Sequence, residues 1–191
     1  TGIYVNSTLS GWDWERPTSI ELIYADGSEG IQANAGIRIQ GENVRNLSGS
    51  RKQSFRVEFR EQYGPTKLRF PILGADAAER FDTLILRGQS NDRWGPPNTQ
   101  YIRDQWARTK LLEMGHPNSH GSFFHLYLNG FYWGLYNVVE RPVASFASTY
   151  FGGEKDEWDA LNTGSVRDGT DDAWQQLRRG ARIELEYKLG W

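Results

Sequence analysis

The stretch FFHLYLNGFYWGLYNVVE, residues 123–140, places two runs of aromatic and aliphatic residues on either side of an Asn-Gly pair. Asn and Gly accept the positive φ angles that both central positions of a type I′ turn require. The stretch therefore predicts a β-hairpin that turns at Asn129 and Gly130.

A second informative stretch is RKQSFRVEFR, residues 51–60. Apolar residues alternate with polar ones in it, so that Phe55 and Val57 share one face while Arg56 and Glu58 share the other. This alternation predicts a strand over residues 52–60. Lys52 falls at its start and has the same parity as Arg56, on the polar face.

The remaining elements follow from periodicity, capping residues and breakers. Strands are predicted over residues 18–24, 36–40 and 81–87, and a loop over 61–78. Helices are predicted over residues 101–114, with Asn98 or Thr99 as the cap, over 142–150 beginning at Pro142, and over 171–179. Because strands come first and helices are grouped, the order indicates an α+β fold in which an antiparallel sheet packs against a long helix.

Composition excludes several classes of protein. The 191 residues suit one ordinary domain or a slightly large one, and the net charge of −2 gives no general attraction for nucleic acid. Cysteine is absent, which removes disulfides and thiol catalysis. No apolar run reaches the ~20 residues that a membrane span needs. Because Thr1 is not an initiator methionine, we expect the chain to come from a longer precursor with further domains.

Several short segments, in this order, resemble the CotH family, the atypical kinases similar to spore coat protein H. They are IRIQG (37–41), SRKQSFR (50–56), LILR (84–87) with Asp92, YIRD (101–104), YLNG (127–130), YWGLY (132–136), Glu140, and VRDG (166–169) with Trp174. Each segment is common by itself, but their order and spacing together are fairly specific.

The resemblance implies a kinase-like fold that binds ATP with Mg²⁺ and phosphorylates serine residues of a protein substrate. Residues 1–141 would form the small lobe with an N-terminal extension, and residues 142–191 the beginning of the large lobe. The family's catalytic and metal-binding aspartates are expected after Trp191, so we expect little transfer activity from this chain alone. A Gly-x-Gly-x-x-Gly phosphate loop is also missing. The start of the chain resembles CotH domains of bacterial surface or secreted proteins, which implies an extracellular, cell-surface or spore-coat location.

The same resemblance suggests a nucleotide site. Lys52 would contact the phosphates, because phosphoryl transfer depends on positioning and charge neutralisation; a solvated lysine at a strand end is the alternative. Arg38 would clamp a phosphate, or serve as the cross-strand partner of Glu58. A helix carboxylate, Asp104 or Glu113, would orient Lys52, although an acid in a first helical turn is favoured by the helix dipole in any case. Asp92 is a weaker candidate of the same kind.

The end of the hairpin completes the predicted site. In a kinase-like fold, the backbone from Val138 to Glu140 would face the adenine ring, whereas the alternative for Glu140 is an ordinary acid at a strand end. A different function is also open: a non-catalytic binding or structural module of a surface protein, with Trp12, Trp14, Trp94 and Tyr101 as an exposed aromatic platform for a glycan or a protein. A pseudokinase that keeps only the fold is a third possibility.

Overall fold

The computed structural model describes residues 2–41, 45, 52–88, 92 and 97–189, and the side chains of the last helix through Ala181. The chain divides into two compact units, Thr1–Arg141 and Pro142–Trp191. The assignment of these units to the two lobes of a kinase stays a prediction.

The first unit contains eight of the described strands and one α-helix. They are β1 Arg16–Leu22, β2 Ile31–Gln40, β3 Ser54–Glu58, β4 Leu68–Arg69, β5 Arg80–Phe81, β6 Thr83–Arg87, α1 Arg103–Glu113, β7 Gly121–Leu128 and β8 Phe131–Glu140. A short 3₁₀ turn, Trp12–Trp14, precedes β1. The mixed composition of antiparallel strands and helices confirms the predicted α+β class.

Six of these strands form one antiparallel sheet in the order β1-β2-β3-β6-β8-β7. The registers show which side chains share a face, because directly opposed residues point the same way. Arg38 opposes Arg56, Arg56 opposes Ile85, and Arg87 opposes Asn137, so these residues lie on one face, here called the polar face.

The opposite face of the sheet carries the hydrophobic core. Its buried residues come from the sheet and from the β4–β5 segment that covers it: Ala35, Ile39, Phe55, Val57, Phe59, Leu68, Phe81, Leu84, Tyr136 and Val138. Burial of a side chain of this size contributes about 1.5–3 kcal/mol. The core therefore fixes the register of the sheet and, with it, the side chains on the polar face.

The hairpin prediction is confirmed. β7 and β8 pair around Asn129 and Gly130, whose φ angles are 51° and 82°. Both residues thus adopt the left-handed backbone conformation that a type I′ turn requires and that Asn and Gly accept.

Other boundaries differ from the prediction. β2 begins at Ile31, five residues earlier than expected, and β3 is shorter, so Lys52 lies just before the strand. The predicted loop over residues 61–78 contains β4, which pairs with β5. These short segments lack periodicity, and their pairing depends on the core that they cover.

The helix prediction needs a correction at its start. α1 begins at Arg103, and neither Asn98 nor Thr99 occupies the cap position, which is Ile102 without a side-chain hydrogen bond. Asp92 instead accepts hydrogen bonds from the backbone N–H groups of Gln100 and Arg103. The capping group comes from a residue distant in sequence, which a local capping rule does not detect.

The second unit contains α2 Ala144–Phe151, a short 3₁₀ turn Lys155–Glu157, β9 Ala160–Asn162, β10 Ser165–Asp168 and α3 Asp172–Leu189. Pro142 lies two residues before α2, and Asp168 accepts a hydrogen bond from the backbone N–H of Ala144 at 3.0 Å. α3 is longer than predicted. In the part of the chain that the structure describes, no helix is long and apolar enough to cross a membrane.

Candidate functional site

A basic strand end meets an acidic helix start on the polar face. Arg87 is the last residue of β6, and its guanidinium contacts the carboxylate of Asp104 in the first turn of α1. Half of the Asp104 side chain is exposed. An ion pair so exposed contributes about 0–1 kcal/mol to stability, so its geometry matters more than its energy.

Tyr101 occupies the corner where α1 begins. Its hydroxyl lies 2.7 Å from the carbonyl oxygen of Leu135 and 2.9 Å from that of Arg87, which links β8 to the end of β6. Burial raises the pKa of Tyr101 to about 12. The backbone φ of Tyr101 is 64°, an unfavourable value for a residue with a Cβ atom.

Lys52 lies beside this corner. Its ammonium donates to the carbonyl oxygen of Leu135 at 2.6 Å and lies 4.6 Å and 5.0 Å from the ring centroids of Tyr101 and Tyr136. Burial lowers the pKa of Lys52. The amine is thus partly desolvated and held against β8, and it is not a solvated strand-end lysine.

A shallow depression, with enclosed room for about one water molecule, opens at the same corner. It is lined by Arg87, Asp92, Tyr101, Asp104 and Asn137. Ligand pockets for drug-sized molecules usually measure about 300–1,000 Å³. The depression is therefore far too small to enclose a nucleotide, and a group that contacts Arg87 there would stay largely in solvent.

Polar contacts attach α1 to the sheet. Arg108 donates to the side-chain oxygen of Asn137 at 2.5 Å, and Asn137 donates to the side-chain oxygen of Gln105 at 2.9 Å. Burial lowers the pKa of Arg108 to about 10, an effect to which the positive charge of Arg87 adds. None of the residues of α1 is buried, so these hydrogen bonds and the Arg87–Asp104 pair are important contacts between the helix and the sheet.

Asp92 fixes the start of the helix. Burial by itself would raise the pKa of its carboxyl group, but hydrogen bonds from the backbone N–H groups of Gln100, Arg103 and Tyr101 outweigh burial and hold the pKa at about 2. The Arg103 side chain also donates to it at 3.2 Å. The geometry gives Asp92 a capping role at the rim of the depression.

Arg38 lies further along the polar face in a buried charge cluster. Its guanidinium is 3.3 Å from Glu58 and 3.5 Å from Glu15. Arg60 contacts both of these carboxylates, and Arg56 contacts Glu58. The alternative in which Arg38 is the cross-strand partner of Glu58 is thus the observed arrangement. Three arginines against two glutamates leave the cluster with one excess positive charge. A phosphate contact by Arg38 stays a prediction.

Glu140 and Val138 lie on the opposite, apolar face. Glu140 is buried, and its carboxylate accepts hydrogen bonds from the backbone N–H of His120 at 2.7 Å and contacts the His120 ring at 3.0 Å. Val138 pairs with Leu86 on one side and Ser122 on the other. The backbone of Val138 is therefore paired with neighbouring strands of the sheet. Contact between the backbone from Val138 to Glu140 and an adenine ring stays a prediction.

The structure therefore brings together some of the predicted residues. Asp104 and Asp92 share the depression with Tyr101, and Lys52 contacts the Tyr101 ring from outside it. Glu113, the other predicted helix acid, pairs with Lys110 at 2.5 Å. The sequence reasoning overlooked Arg87 and Asn137. The signal for Arg87 was present: an arginine that ends a buried strand shortly before the long helix.

The chain matches the protein-family model described as CotH kinase protein over residues 37–188, which is most of its length. The chain belongs to the CotH kinase family. A comparison with curated proteins finds no match. The CotH match includes β3, β6, α1 and the hairpin, and hence every residue that lines the depression.

The aromatic platform of the alternative hypothesis is incomplete in this CotH domain. Trp12 is exposed and Trp14 half-buried, whereas Tyr101 is buried at the depression. Trp94 lies outside the described residues. Trp12 instead stacks on the guanidinium of Arg60, 3.6 Å from its ring centroid.

Among the described residues, no group of three or more His, Asp or Glu side chains has the arrangement needed to hold a metal ion. The two acids at the depression are already engaged, Asp104 with Arg87 and Asp92 with backbone N–H groups. We therefore assign no Mg²⁺ ligand within the described part of the chain.

Proposed function

We propose that this chain is the nucleotide-positioning part of a CotH kinase domain. Residues 1–141 would act as the small lobe, and residues 142–191 would begin the large lobe. In the complete protein, the domain would transfer the γ-phosphoryl group of ATP to serine residues of a protein substrate. The serine oxygen forms the new bond to phosphorus as the bond to the β-phosphate oxygen breaks, so that ADP leaves and the serine hydroxyl gives up its proton.

The observation that carries this proposal is the Arg87–Asp104 pair at the start of α1, in a chain of the CotH family. Arg87 supplies a guanidinium, which binds phosphate oxygens in pairs. Asp104 holds that guanidinium and limits its rotation. Positioning of this kind is the main contribution that a protein makes to phosphoryl transfer.

Lys52 and the charge cluster supply further positive charge. Lys52 lies against Leu135 and Tyr101 at the edge of the depression, so a change of its side-chain rotamer would be needed to bring the ammonium to a phosphate. The cluster around Arg38, with its excess positive charge, lies on the same face of the sheet. In this proposal Arg87 is the primary phosphate contact, with Lys52 and Arg38 as additional ones.

The role of Mg²⁺ and the location rest on the family alone. When bound with ATP, Mg²⁺ neutralises the phosphate charge. A bacterial surface or spore-coat location, and association with other domains of a longer protein, are proposed from the same resemblance.

Calorimetric titration of residues 1–191 with ATP and Mg²⁺ tests the proposal. We expect weak binding, and we expect Arg87→Ala to reduce the affinity by about tenfold or more, as loss of one charge-assisted contact does. Lys110→Ala, which removes a cation from the exposed side of α1, is the matched control and should bind like the wild type. Absence of binding, or equal affinities for the Arg87 and Lys110 variants, would contradict the proposed site.

Phosphoryl transfer is tested separately with radiolabelled ATP. The low activity expected of residues 1–191 alone would be contradicted by robust phosphorylation of an added protein. Nucleotide binding by the complete protein without any transfer would instead favour the pseudokinase alternative.

A further inference from the structure

The two edges of the six-stranded sheet differ in their protection. Edge strands expose unpaired backbone N–H and C=O groups, and proteins usually guard them with charged residues or proline. The β1 edge, Arg16–Leu22, carries Arg16, Pro17 and Glu21. The β7 edge, Gly121–Leu128, has the sequence GSFFHLYL, with no proline and no Asp, Glu, Lys or Arg. β7 therefore lacks these guards.

The geometry of β7 is also suited to pairing. It has eight residues in regular succession, because the register shift in the hairpin falls on β8: Leu126 pairs with Gly134 and Tyr127 with Tyr132, which leaves Trp133 as the extra residue. A bulge on the edge strand itself would disturb an added strand, whereas this one lies on the inner strand. Within the described residues, no strand pairs with the outer side of β7.

Exposed aromatic rings continue this edge to the tip of the hairpin. Tyr127 is 61% exposed and Tyr132 opposite it is 55% exposed, with ring centroids 5.3 Å apart. Phe131, beside the turn, is 74% exposed. Phe131 lies on the opposite face of the hairpin from Tyr132, but the paired, exposed rings of Tyr127 and Tyr132 mark an interaction site more often than isolated apolar residues do.

The charge distribution indicates what would bind there. Residues 121–139 contain no Asp, Glu, Lys or Arg. A two-fold interface brings the same patch of both copies together, so a patch of one charge repels itself while an uncharged one does not. The exposed apolar residues of α1 contrast with this, because Trp106 and Leu111 lie on a helix that also exposes Arg103, Lys110 and Glu113.

We propose that two copies of this chain associate by antiparallel pairing of their β7 edges, with the Tyr127 and Tyr132 rings packed at the contact. Antiparallel pairing of identical strands about a two-fold axis satisfies the free backbone groups of both copies at once. It joins two six-stranded sheets into one continuous sheet. This inference does not depend on the proposed nucleotide site.

Sedimentation equilibrium of residues 1–191 tests the association. We expect a reversible dimer, and we expect Tyr127→Lys to raise its dissociation constant by about tenfold or more, since each copy would bring a like charge to a pairing edge that otherwise carries none. Ser19→Lys is the matched control, because it adds the same charge at an exposed position of β1, the other edge; its dissociation constant should stay within about twofold of the wild type. A wild type that is monomeric up to roughly 1 mM, where even weak specific association is detectable, would overturn the proposal.

Variants with a single cysteine test the proposed pairing of the two β7 strands directly, because the chain has no cysteine of its own. Each residue from 122 to 127 is replaced in turn, and the variants are oxidised in solution. Disulfide-linked dimers should peak at one residue, where the two-fold axis passes, and Ser19→Cys should give few. Equal cross-linking at all positions and at Ser19 would overturn strand pairing.

A further measurement does not depend on any variant. Amide hydrogen exchange of the wild-type chain should slow in β7 with increasing protein concentration, while exchange in β1 stays constant. If β7 shows no concentration dependence but becomes protected by an added extended peptide, its partner is another protein and the self-pairing proposal is wrong.

Discussion

The ammonium of Lys52 and the carbonyl oxygen of Leu135 are 2.6 Å apart, which ties the residue before β3 to the strand that leaves the hairpin turn. The distance shows that the predicted phosphate contact hydrogen-bonds to the protein's own backbone. Lys52 therefore has two possible roles, one in stability and one in binding, and they are separable by experiment.

Replacement of Lys52 with methionine keeps the length of the side chain and removes the ammonium. We expect the free energy of unfolding to fall by about 1–2 kcal/mol, because the hydrogen bond to Leu135 and the contacts with the rings of Tyr101 and Tyr136 are lost. We also expect the affinity for ATP with Mg²⁺ to fall by about tenfold. Urea unfolding measures the first quantity and calorimetry the second. Unchanged affinity together with reduced stability would assign Lys52 a structural role only.

The Arg87–Asp104 pair gives a second prediction. If Asp104 acts by orienting Arg87, Asp104→Asn should weaken nucleotide binding less than Arg87→Ala does, and the double variant should bind like Arg87→Ala alone. Such non-additivity is the signature of two residues that act as a unit. Calorimetric titration of the three variants provides the cycle. Additive losses would mean that Asp104 acts on the nucleotide independently of Arg87.

Much of the fold was predictable because it depends on local patterns. The Asn129–Gly130 turn is encoded by two residues whose backbone preferences suffice, and the alternation of Phe55 and Val57 fixes which face of β3 joins the core. The β9–β10 hairpin was overlooked, although Thr163 and Gly164 adopt φ angles of 50° and 80° at its turn. Gly commonly adopts such angles but Thr does not, so the Thr163–Gly164 pair predicts a turn less clearly than Asn129–Gly130 does.

The site was less predictable because its contacts join residues distant in sequence. Arg87 and Asp104 are 17 residues apart in the chain, and Asp92 accepts from the backbone of Arg103, 11 residues further on. Strand parity correctly placed Arg56 and Glu58 on one face, but it could not show that Glu15 would complete a buried cluster there. Distances of this kind depend on the tertiary fold.

The buried charge cluster leads to a third prediction. One oxygen of Glu58 faces three arginines, and the other accepts a hydrogen bond from the Thr83 hydroxyl at 2.7 Å. Glu58→Gln preserves the shape of the side chain but leaves the arginines with Glu15 as their remaining carboxylate in the cluster. Because an uncompensated buried charge is costly, the free energy of unfolding should fall by about 3–5 kcal/mol.

Chemical denaturation of Glu58→Gln is compared with that of Glu61→Gln, a change of the same kind at an exposed position just after β3. The control should stay within about 0.5 kcal/mol of the wild type, as surface substitutions usually do. Equal stabilities for the two variants would mean that the cluster contributes nothing beyond a surface carboxylate.

The depressed pKa of Asp92 predicts a specific dependence of stability on pH. The carboxyl group has a pKa of about 2 in the folded protein against a reference value of 3.8, so the folded state favours the ionised form. Its contribution is therefore fully present above the reference pKa and is lost as the pH falls through the folded value. Asp92→Ala should lower the free energy of unfolding by about 1 kcal/mol at neutral pH, the usual loss for a helix cap. Unfolding measured between pH 7 and pH 2 should show this difference shrinking below about pH 4. Asp76→Ala, at an exposed turn, serves as the control. If the difference between Asp92→Ala and the wild type persisted unchanged to pH 2, the charge of Asp92 would not be what stabilises the start of α1.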